Sequence, residues 1–205
     1  MTDPHTPLTT NNNLELVMDG TQIDTLTMSG CVLASAGGFA ARDVAAGSEF
    51  RNVTADLGLE LAWTASVHGN HLRFDAQLTD TTGRDRAITL RFALPIIPAS
   101  WMWHDDVRAQ RPIEPNQRYI HATDIQTGVD GEHSLYPLGA VTAGVAGLCL
   151  ATDMVKCPAQ TRIAFEDGAF FLEFDFGLAA ETDAFPSAAP FSFILFAFDG
   201  RTGFR

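Results

Sequence analysis

The feature that most constrains this chain is apolar alternation at period two. Leu57, Leu59, Leu61 and Trp63 alternate with polar or small residues, His68-Gly69-Asn70 follows, and Leu72, Phe74, Ala76 and Leu78 resume the alternation. Successive strand side chains point to opposite faces, so the pattern predicts a hairpin with one buried face. Gly and Asn accept the positive φ that a tight turn requires. Thr81-Thr82-Gly83 breaks the chain, and Ile88, Leu90, Phe92 and Leu94 form a third strand ended by Pro95. Further on, Gly147–Asp153 is short and apolar, Thr161–Phe165 leads into an Asp167-Gly168 turn, and Phe170, Leu172, Phe174 and Phe176 alternate with Phe171, Glu173 and Asp175. Phe191–Phe198 is apolar at nearly every position, which predicts an interior strand covered on both faces. Many of the 15 Phe sit in these last two strands, which are expected to anchor the core.

No window of a dozen residues keeps a helical apolar stripe free of Gly or Pro, and the chain holds 17 Gly and 10 Pro. The fold class expected is all-β, an antiparallel β-sandwich with few or no helices. A length of 205 residues suits one domain. Residues 1–13 are polar and carry no Lys or Arg, so they read as a loose lead-in rather than a signal peptide, with a single domain over 14–205. A formal charge of −12 argues against nucleic acid and anionic membranes, which reward basic patches. No apolar run approaches a membrane span. A complete chain of this kind is expected in the cytoplasm, and Cys31, Cys149 and Cys157, lacking CxxC spacing, are expected as reduced thiols.

The stretch from Pro95 to about Gly131 is the long one without strand character, and long connections in compact domains are often functional. It holds Trp101, Trp103, His104, Asp105, Asp106, Arg108, Arg111, Tyr119 and His121. Flat rings stack on the apolar face of a pyranose, while carboxylate, guanidinium and imidazole groups bond its hydroxyls. These nine residues are therefore the candidate ligand-binding set, with carbohydrate as the partner. The competing reading is an ordered loop, with a Trp plugging the sandwich edge and Asp105 or Asp106 paired with Arg108 or Arg111.

Catalytic signals are weaker. Asp105 and Asp106 are adjacent and would point apart if extended, while Glu114, Asp124 and Glu132 are scattered, so no glycosidase carboxylate pair is assigned. His104, Asp105, Asp106, His121 and His133 match no zinc spacing, and the loop lacks a regular calcium pattern; no metal and no cofactor is assigned. Gly37-Gly38 and Gly144-x-x-Gly147 read as turns rather than phosphate loops. Ser134 has no nucleophile elbow around it. Arg42-Asp43 and Arg84-Asp85-Arg86 read as local ion pairs on a rim.

Several phrases together carry a resemblance: Gly38-Phe39-Ala40-Ala41-Arg42-Asp43-Val44, Asp80-Thr81-Thr82-Gly83-Arg84-Asp85-Arg86-Ala87, Trp103-His104-Asp105-Asp106, Ser134-Leu135-Tyr136-Pro137-Leu138-Gly139-Ala140-Val141, Phe174-Asp175-Phe176-Gly177-Leu178 and Phe198-Asp199-Gly200-Arg201-Thr202-Gly203-Phe204-Arg205. Over about residues 30–205 the chain resembles the N-terminal β-sandwich region of large bacterial glycoside hydrolases, which is similar to the supersandwich of galactose-mutarotase-like domains. In that family a (β/α) barrel usually follows the sandwich. Here the chain reaches Phe204-Arg205 about where the barrel would begin: a complete chain would lack the barrel, a fragment would have been cut from it, and the missing aromatic usual near that junction is compatible with a lone domain. The resemblance implies no catalytic residue in the sandwich.

Three functions compete. The first is a non-catalytic carbohydrate-associated module, glycan-binding or accessory to a glycoside hydrolase. The second is a structural domain packing on a partner catalytic domain or subunit. The third is a small sugar epimerase or lyase using His104, His121 or His133 as acid or base, an inference from fold analogy alone.

Overall fold

The computed structural model describes residues 6–47, 49–53, 57–96, 100–124, 137–153, 160–181, 183 and 187–203. Within them the chain forms two antiparallel sheets. The larger contains β1 (Leu8–Thr9), β2 (Leu14–Asp19), β3 (Gln22–Met28), β5 (Gly38–Asp43), β9 (Arg86–Pro95), β16 (Ala169–Leu178), β15 (Gln160–Glu166) and β12 (Tyr119–Asp124), in that order across the sheet. Two short strands flank this path: β4 (Cys31–Ala34) pairs with β3, and β6 (Arg51–Asn52) pairs with β5. The smaller runs β11 (Gln110–Pro112), β10 (Met102–His104), β13 (Leu138–Ala143), β14 (Ala146–Thr152), β17 (Ala188–Asp199), β8 (His71–Asp80) and β7 (Leu59–His68).

The sandwich expected from period two is what forms. β7 and β8 meet at Gly69-Asn70, with Gly69 at φ +62°, and β15 and β16 meet at Asp167-Gly168, both with positive φ. Ile88, Leu90, Phe92 and Leu94 of β9 turn inward, as do Phe170, Leu172, Phe174 and Phe176 of β16. They face Leu72, Phe74 and Leu78 of β8 and Phe191, Phe193 and Leu195 of β17, all buried. Phe74 and Phe193, paired across their strands, stack at 4.5 Å between ring centroids. Phe92–Phe193 at 4.9 Å and Phe174–Phe191 at 4.7 Å bridge the sheets. Each such ring contributes up to roughly 3 kcal/mol by leaving water.

Three expectations need correction. β17 is interior to its sheet, but its outward face is only partly covered: Ser192 there is buried, whereas Ile194, Phe196 and Phe198 are half-buried. The stretch 95–131 is not one long connection, for it contributes β10, β11 and β12. These strands escape a pattern search because β10 and β11 have three residues each, too few to show a period. Arg42, Asp43 and Arg86 are not a set of local rim pairs. Arg42 and Asp43 point to opposite faces of β5, and the nearly buried Arg86 bridges Asp43 at 3.0 Å and Asp80 at 2.9 Å, while also donating to the Leu57 carbonyl at 2.8 Å.

The lead-in is described from residue 6. It supplies β1, and Thr10 is buried beside Leu14. Gly37 and Gly38, expected as a turn, sit at φ +101° and +106° with β3 and β9 close on either side. A Cβ on Gly38 would strike the Thr21 carbonyl oxygen, and one on Gly37 would strike that of Ala93. Gly144 occupies the β13–β14 turn at φ +58°. Cys31 is exposed and Cys149 buried, both free, whereas Cys157 lies outside the described residues.

Candidate functional site

The loop singled out from the sequence folds as a structural knot at one end of the sandwich. Trp103 leads β10 into the core, where its indole stacks on His121 at 4.9 Å and meets Tyr119 at 6.0 Å and Phe170 at 6.4 Å. It is 1% exposed and Trp101 4%, so neither offers an open ring face on which a sugar could stack. This corrects the stacking expectation: pairing of β10 with β13 turns both indoles inward. Trp101 instead lines a mostly apolar cavity of about 390 Å³ with Ile96, Ile113 and Phe165.

The polar members of the loop are similarly engaged. His104 is buried, its Nε2 3.1 Å from the Thr142 hydroxyl; burial lowers its pKa, with Asp105 pulling weakly the other way. His121 Nε2 donates to the His104 carbonyl at 2.9 Å. Tyr119 donates its hydroxyl to the Pro112 carbonyl at 2.9 Å and accepts from the Glu114 amide at 3.0 Å. Arg111 lies over the Tyr119 ring at 4.8 Å and pairs with Asp105 at 3.0 Å. Asp106 caps the turn through the amides of Arg108 and Ala109, which hold its carboxyl below the usual range; Arg108 itself is exposed. His133, Glu132, Ser134 and Tyr136 lie outside the described residues, as does the Asp124 side chain.

A different constellation lies on the outer face of the larger sheet. In a strand the residues between the core positions point away from the core. On β9 these are Thr89 and Arg91, on β16 Phe171, Glu173 and Asp175, on β15 Arg162, and on β5 Arg42. The register aligns them in rows. Arg91, Glu173 and Arg162 stand side by side across three strands, and Arg42, Thr89 and Asp175 stand side by side one row along. Ala40, Ala93, Ala164 and Ala87 surround the rows with small side chains. The result is a groove of about 530 Å³, the size range of small-molecule sites.

Glu173 forms its floor, with a side chain 2% exposed. Oε1 accepts from Arg91 Nε at 2.9 Å and Nη2 at 2.6 Å, and Oε2 accepts from Arg162 Nε at 2.9 Å. Arg162 forks onward to Asp175, with Nη2 to Oδ1 at 2.8 Å, and Asp175 Oδ1 also accepts from the Thr89 hydroxyl at 2.8 Å. Burial opposes the Arg162 charge, but Asp175 and then Glu173 outweigh it and make the guanidinium more basic than usual. Arg91 is clamped between two rings, Phe50 at 3.9 Å and Phe171 at 4.0 Å. Arg118 pairs with Glu166 at 3.5 Å at the rim, and Arg42 lines the groove beside Thr89.

Sequence reasoning passed over this set. Its signal was present: Glu173 and Asp175 are charges at outward positions of an otherwise apolar strand, and Thr89, Arg91 and Arg162 repeat that pattern elsewhere. What the pattern lacks is the pairing of strands distant in sequence.

No protein-family model matches the chain, and no curated protein matches it either. Solved structures do. The GH36 α-galactosidase AgaA from Geobacillus stearothermophilus is similar at 14% identity and a TM-score of 0.44, over 73% of this chain and 23% of its own. The chain thus spans about a quarter of that enzyme's length. Protein Slr1438 from Synechocystis sp. PCC 6803 is similar at 10% identity and a TM-score of 0.45, over 97% of this chain and 98% of its own. A candidate aldose 1-epimerase from Klebsiella pneumoniae is similar at 13% identity and a TM-score of 0.41, over 82% of this chain and 51% of its own.

Proposed function

We propose that the protein is a carbohydrate-binding β-sandwich whose site is the groove formed by Thr89, Arg91, Arg162, Glu173 and Asp175. The observation that carries this is the buried Glu173 held between two guanidiniums, with Asp175 and Thr89 continuing the array. Vicinal sugar hydroxyls both donate and accept, so a rigid surface that alternates forked donors with carboxylate acceptors suits them. Rigidity matters because it reduces the ordering cost of binding. Clamping of Arg91 between Phe50 and Phe171, and of Arg162 between two carboxylates, supplies it.

The reading is of binding rather than turnover. Both Glu173 oxygens already accept guanidinium hydrogens. Among the described residues that line the groove there is no histidine, cysteine or tyrosine to act as its acid or base partner.

Calorimetric titration of the full chain with neutral aldoses and disaccharides tests the proposal. Saturable binding is expected, weakened at least about tenfold by Asp175→Asn or Thr89→Val, since each removes a directed polar contact. Asp105→Asn and Arg111→Gln, which do not line the groove, should leave it intact. Absence of binding, or binding weakened only by the loop variants, would overturn the groove assignment.

A further inference from the structure

Resting on that reading, we infer that the preferred ligand is a sugar bearing an oxyanion, a carboxylate or a phosphate, and that Arg42 receives it. The groove is lined by four guanidiniums, of Arg42, Arg91, Arg118 and Arg162, and three carboxylates, of Glu166, Glu173 and Asp175. Arg91 and Arg162 are neutralised by Glu173 and Asp175, and Arg118 by Glu166. Arg42 is the lining cation with no ion-pair partner among the described residues. It packs over the Phe50 ring at 4.8 Å, a cation–π contact that engages the guanidinium face and none of its N–H groups. Its Nε is a buried donor without an acceptor among the described residues. Because Nε is closed off from solvent, an acceptor from outside the chain meets the Nη groups, which are not buried and bond to no described residue.

The chain as a whole carries a charge of −12, which repels anions. A groove whose lining sums to one positive charge is therefore a local exception, and the excess belongs to Arg42. Its placement fits a substituted sugar. Arg42 stands directly opposite Thr89, and Thr89 opposite Asp175, so Arg42 lies two strand spacings from Asp175, roughly 10 Å. That span accommodates a pyranose ring over Thr89 and Asp175 with its charged substituent toward β5. Guanidinium presents parallel N–H groups that match a carboxylate or phosphate edge, which a neutral hydroxymethyl group cannot use.

The experiment compares affinities of the intact chain for glucuronate, galacturonate and glucose 6-phosphate with those for glucose and galactose, with inorganic phosphate alone as a control for simple anion binding. The anionic sugar should bind at least about tenfold more tightly than its neutral counterpart, the scale of one charge-assisted pair. Arg42→Gln should bring that ratio close to one, and Arg42→Lys should preserve part of it; thermal melts report whether each variant is folded. In wild-type protein the preference should shrink as salt rises, a measurement that needs no variant. A preference for the uronates identifies a carboxylate ligand, and one for glucose 6-phosphate a phosphate ligand. Equal affinities for charged and neutral sugars would overturn this inference and leave the binding function standing. So would a preference that survives Arg42→Gln, or inorganic phosphate binding as tightly as the sugar phosphate. No binding of any sugar would overturn the function itself.

Discussion

At the scale of single residues, the aromatic and imidazole groups of the β10–β12 region behave as core. Trp103 is enclosed by Tyr119, His121 and Phe170. Trp103→Ala should cost about 3–5 kcal/mol in urea unfolding, the range for a buried Trp truncated to Ala. A change below about 1 kcal/mol would mean that the indole is not packed as described. His104 gives a pH signature. Its pKa is depressed by burial, and that of His71 by burial together with His68 and Arg73. A histidine depressed in the folded state is refused a proton that the unfolded chain accepts. Stability should therefore be level above about pH 6.5, the ordinary imidazole value, and fall as pH drops below it. Urea midpoints at pH 7.5 and 5.5 measure this, and His104→Gln should reduce the difference to the share that His71 contributes.

At the scale of elements, the outstanding contact is the Arg86 clamp. It ties the end of β5, through Asp43, to the end of β8, through Asp80, and to the segment leading into β7 through the Leu57 carbonyl. Asp80 also accepts from the Thr82 and Gly83 amides, closing the β8–β9 turn. The phrase Asp80–Arg86, prominent in the sequence, is thus a corner that joins the two sheets. Removing one partner of a buried ion pair leaves the others unpaired, so Arg86→Met should cost about 3–5 kcal/mol. The cost should appear as a lower denaturation midpoint at unchanged m-value if the sheets still unfold together. Burial raises the pKa of Asp80 and Asp43, but Arg86 and the turn amides more than reverse this, leaving both depressed. Their contribution is present above about pH 4 and lost as pH falls through their folded values.

At the scale of the whole molecule, contacts are dominated by pairings of segments distant in sequence. β5 pairs with β9, β9 with β16 and β8 with β17, separations of roughly 50 to 120 residues. Such topologies must close long loops before their contacts reward them, so folding should take milliseconds to seconds. Stopped-flow refolding monitored by tryptophan fluorescence checks this; a microsecond phase carrying the full amplitude would contradict it.

How much of this was legible in the sequence divides along one line. Local periodicity determined that Leu72, Phe74 and Leu78 share a face, that Phe170, Phe174 and Phe176 share another, and that Gly69 and Gly168 turn the chain. Those properties belong to consecutive residues, because side-chain direction in a strand depends only on parity. They were enough for the all-β sandwich. Partnership between strands is a different kind of fact. Nothing local to Arg91 shows that Glu173 will stand beside it, with Arg162 beyond and Arg42 one row away. Equally, nothing local to Trp103 shows that β10 will pair with β13 and turn its indole inward. The sequence by itself determined which residues leave water. Tertiary structure alone decided which of the remaining ones meet, since register between segments 11 to 86 residues apart sets the hydrogen bonds that join Thr89, Arg91, Arg162, Glu173 and Asp175.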